Sequence, residues 1–158
     1  MDNKNFSIGI FLDLSKAFDT TDHNLLLKKL DIYGIRGNAL HWISSYLSDR
    51  SQCVSIDDVS SNPKKIICDV PQGSVFEALL FILSINDIVN VCTILKLIML
   101  ADDTNVFASH KNADKLTSIV NIELIIVVNW LKINKLSLNV KNTLFCFIPD
   151  RKKLFKMW

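Results

Sequence analysis

Apolar and polar positions follow one another in blocks, and each block carries the period of one kind of element. Phe6 to Leu14 is a short apolar run broken by Asp13, and it predicts a first strand. Leu25, Leu26, Leu27 and Leu30 follow Asp22, which predicts a helix capped by Asp22 and ending near Gly34. Asn38 to Leu47 predicts a second helix with Leu40, Ile43 and Leu47 on one face. Gln52 to Ile56 alternates like a strand, Asp57-Asp58 marks a turn, and Lys64 to Val70 reads as the partner strand. Pro71-Gln72-Gly73-Ser74 is a sharp break. Ser74 and Glu77 then have the spacing of a capping box, and the apolar residues to about Val89 predict a helix buried on most sides.

Leu97 to Phe107 is apolar, stops at Asp102-Asp103, and becomes apolar again, which predicts a β-hairpin with both acids at its tip. A long helix is predicted from Ala113 to Ile133, with Leu116, Ile119, Val120, Leu124, Val127 and Leu131 among its apolar positions. Leu136–Val140 and Thr143–Ile148 read as two short closing strands. The whole predicts an α+β fold, a sheet covered by helices on one face.

Composition adds bounds. The 158 residues are 49% hydrophobic, enough for one domain with a real core, and the formal net charge of +2 selects no partner. Arg151, Lys152, Lys153 and Lys156 read as a solvated basic tail. The four cysteines stand far apart and form no C-x-x-C pair, so free thiols in a reducing compartment are expected rather than zinc. The N-terminus lacks the pattern of a signal peptide, and no apolar run is expected to reach membrane-spanning length. The expectation is a soluble intracellular protein, cytoplasmic or nuclear, with no membrane partner.

The chemistry lies in the acids. Asp in a turn is ordinarily turn chemistry, but here two apolar strands each end in carboxylates, Asp13 on one and Asp102-Asp103 on the other. Clustered carboxylates repel unless a hard cation holds them, and Mg²⁺ suits oxygen ligands with positions left open for phosphate. Strand-end acids alone also permit a phosphohydrolase on a parallel sheet with Asp13 as nucleophile. That chemistry needs a partner acid two residues on, where Ser15 stands. Antiparallel neighbours for the Asp13 strand would favour the first reading, and an all-parallel sheet the second.

Four segments in order carry a resemblance. Phe11-Leu12-Asp13-Leu14-Ser15-Lys16-Ala17-Phe18-Asp19 resembles the first catalytic motif of reverse transcriptases from non-LTR retrotransposons of the LINE type. Val70-Pro71-Gln72-Gly73-Ser74 resembles the second, and Leu100-Ala101-Asp102-Asp103-Thr104-Asn105 the third. Trp130 with Asn134-Lys135-Leu136-Ser137-Leu138-Asn139 resembles the segment leading into the fourth. The resemblance implies the palm of a right-hand polymerase over residues 1–148, an antiparallel sheet backed by helices, followed by the tail 149–158. It implies RNA-directed DNA polymerase activity on an RNA template, a DNA primer and deoxynucleoside triphosphates. Asp13, Asp102 and Asp103 would bind two Mg²⁺ ions, with Mn²⁺ as an alternative. Phe18 would be the steric gate against a ribose 2′-hydroxyl, and Gln72 and Gly73 would sit near the incoming nucleotide. Lys16 is a candidate for phosphate contact, with solvent as the alternative, and Lys141 stands next to the position of the family's proton donor. Fingers and thumb are expected to be largely absent.

Several positions depart from the family pattern. Asp69 stands where a Gly is usual, Phe76-Glu77-Ala78 replaces Leu-Gly-Pro, Leu100 replaces an aromatic, and Asn142 replaces a Lys. That lysine is the candidate proton donor to pyrophosphate, a task Asn cannot perform; Lys141, next to it, is expected to face elsewhere on a strand. The alternative to a working polymerase is therefore a non-catalytic, decayed or co-opted fragment with weak nucleic-acid binding.

Overall fold

The computed structural model describes residues 5–70, 73–100 and 103–149. In chain order the elements are β1 (Phe6–Leu12), β2 (Leu14–Ser15), α1 (His23–Ile32), α2 (Asn38–Leu47), β3 (Ser51–Gln52), β4 (Ser55–Ile56), β5 (Val59–Ser60), β6 (Lys64–Lys65) and α3 (Val75–Ile85). A 3₁₀ turn (Asn86–Asn90) follows, then β7 (Lys96–Leu100), β8 (Asp103–His110), α4 (Ala113–Ile133), β9 (Ser137–Leu138) and β10 (Leu144–Ile148). Two compact units result: residues through Ser15 together with those from Asn86 onward, and Lys16–Ile85.

The first unit is built on a four-stranded sheet of order β10-β1-β8-β7, antiparallel throughout. Side chains alternate across a strand, so Ile10, Leu12, Thr104, Val106 and Ala108 are buried on one face. Phe11, Asp103, Asn105 and Phe107 point to the other. There Phe11 and Phe107 meet edge to face at 6.2 Å. Gly9 leaves room for that ring, because a Cβ at Gly9 would come within 3.3 Å of it. Helix α4 covers the buried face, packing on β8 and β1 through Leu116, Val120, Val127 and Leu131. Asn112 caps it, its Oδ1 accepting from Lys115 N–H at 2.9 Å.

Two sequence expectations for this unit need correction. Helix α4, at 21 residues, is long and apolar enough to cross a membrane by length and composition, against the expectation that no stretch reaches that length. Its buried stripe is spent on the sheet, while Ile122, Ile125, Ile126 and Ile133 are exposed. The closing strands are also shorter than predicted, and residues 140–142 form a turn, so Lys141 is not on a strand.

A carboxylate interrupts the apolar stripe of α4. Glu123 is 6% exposed and accepts from the N–H groups of Thr93, Ile94 and Leu95, at 3.2, 3.1 and 2.7 Å, and from the Thr93 hydroxyl at 2.8 Å. Burial alone would raise its pKa. The three backbone donors and the hydroxyl outweigh that penalty and hold the carboxyl below its usual range. Glu123 thereby ties the loop that feeds β7 to the helix beneath the sheet.

In the second unit α1, α2 and α3 enclose Leu26, Leu30, Leu47, Val70 and Leu80. Asp22 caps α1 as predicted, its Oδ1 accepting from Leu25 N–H at 2.9 Å, and Lys29 Nζ donates to the Ser84 carbonyl at 2.6 Å. The predicted strands Gln52–Ile56 and Lys64–Val70 are corrected to nested two-residue pairs, β3 with β6 and β4 with β5. All four are exposed, so no apolar face holds longer strands together. Asp57 and Asp58, with φ of 45° and 63°, form the tip.

The α3 expectation is corrected in three respects. The helix ends at Ile85 and gives way to the 3₁₀ turn. It is not buried on most sides, for Phe76, Leu79 and Ile82 are exposed. The capping box does not close: Glu77 Oε2 reaches past Ser74 to accept from Gly73 N–H at 2.7 Å, and Ser74 Oγ is left buried without a partner.

Asp69 holds a conformation that suits glycine. Its φ is +97°, in the left-handed region where a Cβ is strained. Its N–H donates to the Thr21 carbonyl at 3.1 Å and its carbonyl accepts from His23 Nε2 at 2.7 Å, so the backbone cannot relax. Its Oδ1 is buried without a partner. Burial pushes the carboxyl up, Arg50 offsets part of this, and Asp19 and Glu77 push it up further.

Two outcomes follow for stability. Asp69→Gly removes the strain and the orphaned oxygen, and is expected to raise stability at neutral pH by about 1 kcal/mol. Urea denaturation measures this, and a loss of stability would contradict it. Glu123→Gln places an amide donor among N–H groups and is expected to cost about 3 kcal/mol at pH 7. Because the folded carboxyl of Glu123 lies below its unfolded value of about 4.3, its contribution is complete above that pH and is lost as pH falls through the folded value. Between pH 6 and 3 the wild type should therefore lose more stability than Glu123→Gln, and equal losses would contradict the role.

Candidate metal and nucleotide site

Asp13 follows the last residue of β1, and Asp103 is the first residue of β8. The register Leu12↔Thr104 brings the two strand ends together. A cavity of about 300 Å³ opens there, lined by Phe11, Leu12, Asp13, Asp103, Asn105 and Asn142. The antiparallel pairing of β1 with both neighbours removes the parallel-sheet hydrolase alternative. β7 and β8 pair as the predicted hairpin, with Asp103 as the first strand residue of β8, opposite Leu100. Asp102 lies outside the described residues.

Asn142 reaches this cavity through an irregularity in the strands. β9 pairs with β2 in the register Leu14↔Leu138, and β10 pairs with β1 in the register Phe11↔Leu144. Five residues, 139–143, thus stand opposite two, Leu12 and Asp13. The excess is looped out as the turn 140–142, a bulge-like device that bends the strand and re-aims its side chains. Asn139 is held at the base of this loop. Its N–H donates to the Asp13 carbonyl at 2.8 Å, and its Nδ2 donates to Asp13 Oδ2 at 2.7 Å.

The donor set suits a hard cation. Two carboxylates line the cavity, and the amides of Asn105 and Asn142 each carry an oxygen, the donor that hard divalent cations take. Among the described residues no group of three or more His, Cys, Asp or Glu side chains is gathered tightly enough to hold a metal.

Of the other sequence candidates, Phe18, Lys16 and Gly73 belong to the second unit and Lys141 to the first. Phe18 is half-buried, its ring 4.7 Å from that of Phe81 on α3. Lys16 is exposed at a φ of +48°. Gly73, exposed at a φ of +76°, precedes α3, and its N–H is taken by Glu77. Gln72 lies outside the described residues, and Lys141 is exposed in the looped turn. Sequence reasoning passed over a second cavity, of about 680 Å³, lined by residues that include Asp19, Arg50, Lys65 and Asp69. Arg50 Nη1, like Asp69 Oδ1, is buried there without a partner. It also passed over Asn139 and Glu123. Glu123 had a signal, since it falls on the helical stripe between Val120 and Val127.

Known proteins are similar to this chain in sequence and in fold. The RNA-directed DNA polymerase from mobile element jockey of Drosophila melanogaster is 37% identical over 82 residues, 51% of this chain and 9% of that protein. The probable RNA-directed DNA polymerase from transposon BS of the same organism is 33% identical over 86 residues, again 51% and 9%. The chain thus spans about a tenth of the length of these two relatives. Among solved structures, telomerase from Candida tropicalis with a TWJ fragment of telomeric RNA superposes with a TM-score of 0.70 at 14% identity, covering 90% of this chain and 26% of that one. Telomerase from Candida albicans gives 0.59 at 12% identity, covering 89% and 27%. These two likenesses show the fold. The family model described as reverse transcriptase (RNA-dependent DNA polymerase) matches residues 1–155, nearly the whole sequence. With its antiparallel α+β fold and its motifs in order, the chain belongs to the reverse transcriptase family.

Proposed function

We propose that this chain is the palm of an RNA-directed DNA polymerase, and that in this copy the site is chemically impaired. Reverse transcriptases as a family work with divalent metal ions on a nucleic-acid template; the finer assignment here is Mg²⁺, with Mn²⁺ able to replace it. The observation that carries the reading is the cavity shared by Asp13 and Asp103 at the ends of neighbouring antiparallel strands. Asp13, Asp103 and, by its place in the motif, Asp102 would hold the ions. Bound there, two ions supply a lowered pKa for a primer 3′-hydroxyl and charge neutralisation for the departing pyrophosphate. The substrates are an RNA template, a DNA primer and deoxynucleoside triphosphates. Phe18 is the assigned gate against ribonucleotides, with its ring braced on Phe81. Gln72 and Gly73 are assigned to the incoming nucleotide, and Lys16 to phosphate.

Three departures from the family's motifs weaken catalysis by different routes. Asn142 lines the cavity where the family's lysine is expected, and its amide cannot serve as a general acid. General acid catalysis contributes about 10²–10⁴-fold, so this loss alone is crippling. Glu77 places a carboxylate on the Gly73 N–H, a donor that a helix start would otherwise offer to phosphate. Asp69 adds a strained carboxyl next to the same motif.

Primer extension separates the parts of this reading. The chain as it stands is expected to give no template-dependent extension above Asp103→Asn, with Mg²⁺ or Mn²⁺. Asp69→Gly, Glu77→Gly and Asn142→Lys together, placed in the palm of a full-length relative otherwise carrying this sequence, are expected to restore extension that Asp103→Asn abolishes. Extension by the unaltered chain would contradict the impairment. Failure of the restored polymerase would contradict the catalytic assignment.

A further inference from the structure

Asp13 has two carboxylate oxygens, and the structure treats them differently. Oδ2 accepts a 2.7 Å hydrogen bond from Asn139 Nδ2. A carboxylate only accepts, so the amide's NH₂ group must face it, and the amide orientation is fixed by chemistry. The Asn139 main chain is pinned on both sides of this side chain. Its N–H donates to the Asp13 carbonyl at 2.8 Å, and its carbonyl accepts from Asn142 N–H at 3.1 Å and from Thr143 N–H and Oγ1, each at 3.0 Å. Asn139 therefore grips Asp13 at backbone and side chain together, and it does so where the register of 137–148 against β1 and β2 is interrupted.

We propose that Asn139 is a positioning residue that occupies one oxygen of Asp13 and so presents Asp13 to a divalent cation through its other oxygen alone. This rests on the reading of Asp13 as a metal ligand. Its consequence is selectivity. Mg²⁺ and Mn²⁺ take single carboxylate oxygens in octahedral geometry, whereas Ca²⁺ accepts a carboxylate through both oxygens and tolerates irregular, larger coordination. A carboxylate confined to one oxygen favours the smaller ions. Residues that orient metal ligands typically govern about 10–100-fold in affinity.

The test uses the metals alone, with the full chain. Mn²⁺ binding is measured by electron paramagnetic resonance, and Mg²⁺ and Ca²⁺ affinities by competition against it. The variants are wild type, Asp13→Asn, Asn139→Leu and Asn139→Ser. Leu keeps the branched shape of Asn at a larger volume and removes the donor; Ser keeps a small polar group that cannot reach Oδ2, and serves if the Leu variant does not fold. Both keep the backbone bond. The expected result is that Asp13→Asn weakens Mn²⁺ binding, and that each Asn139 variant weakens Mn²⁺ and Mg²⁺ by about tenfold while Ca²⁺ changes less, so that the Mg²⁺-over-Ca²⁺ preference narrows. A merely structural role would lower stability without moving that ratio. An unchanged ratio in variants that retain Asp13-dependent Mn²⁺ binding would overturn the role of Asn139 and leave the metal reading standing. Wild-type Mn²⁺ binding that ignores Asp13→Asn would overturn the metal reading and this inference with it.

Discussion

Backbone pairing on both sides of β1 is the constraint from which the rest of the site follows. A strand bonded along both edges cannot slide or twist freely, because slipping by one residue would turn Ile10 and Leu12 out of the core and Phe11 into it. With register fixed, the end of β1 is fixed, and Asp13 with it. The neighbour β8 starts with Asp103 in the same register, so the two carboxylates are delivered by main-chain geometry rather than by side-chain packing. On the other edge the segment 137–148 parts from β1 beyond Phe11 and rejoins at Leu14. Its slack is taken up at 139–143, which puts Asn139 on Asp13 and Asn142 in the cavity.

Beneath this frame, Glu123 performs a task that an apolar residue could not. Leucine at that position of α4 would complete the stripe and bury well, but it would leave the N–H groups of Thr93, Ile94 and Leu95 without acceptors. The Leu95 donor is buried, and an unsatisfied buried donor costs about 1–3 kcal/mol. The carboxylate satisfies it together with Thr93 and Ile94, and it ties the approach to the β7–β8 hairpin to the helix that covers the sheet.

Periodicity read the helices α1, α2 and α4 closely, because each has a cap or a breaker beside an apolar stripe. The hairpin and the antiparallel sheet were legible from alternation and from motif order together. The nested hairpins between Ser51 and Lys65 were not, since two-residue exposed strands leave no pattern of burial. The outer face of α3 was misread because apolar composition does not say which side is covered: Phe76, Leu79 and Ile82 look like core and are exposed. Asp13 and Asp103 were picked out by sequence, whereas the Asn139 contact was not, because it depends on a register shift that no local pattern encodes. Asp69 was visible as a departure from glycine, and the structure supplies the reason, a φ of +97°.

On the proposed reading, Asp13 and Asp103 share one of the two divalent cations between them. Iron-directed cleavage tests it most directly: Fe²⁺ takes the place of Mg²⁺, and ascorbate with peroxide releases radicals that cut the chain within a few ångströms of the bound ion. The account predicts cuts beside both Asp13 and Asp103 in the same molecule, suppressed by excess Mg²⁺. Cleavage near only one of the two, or at the cysteines and histidines instead, would contradict it.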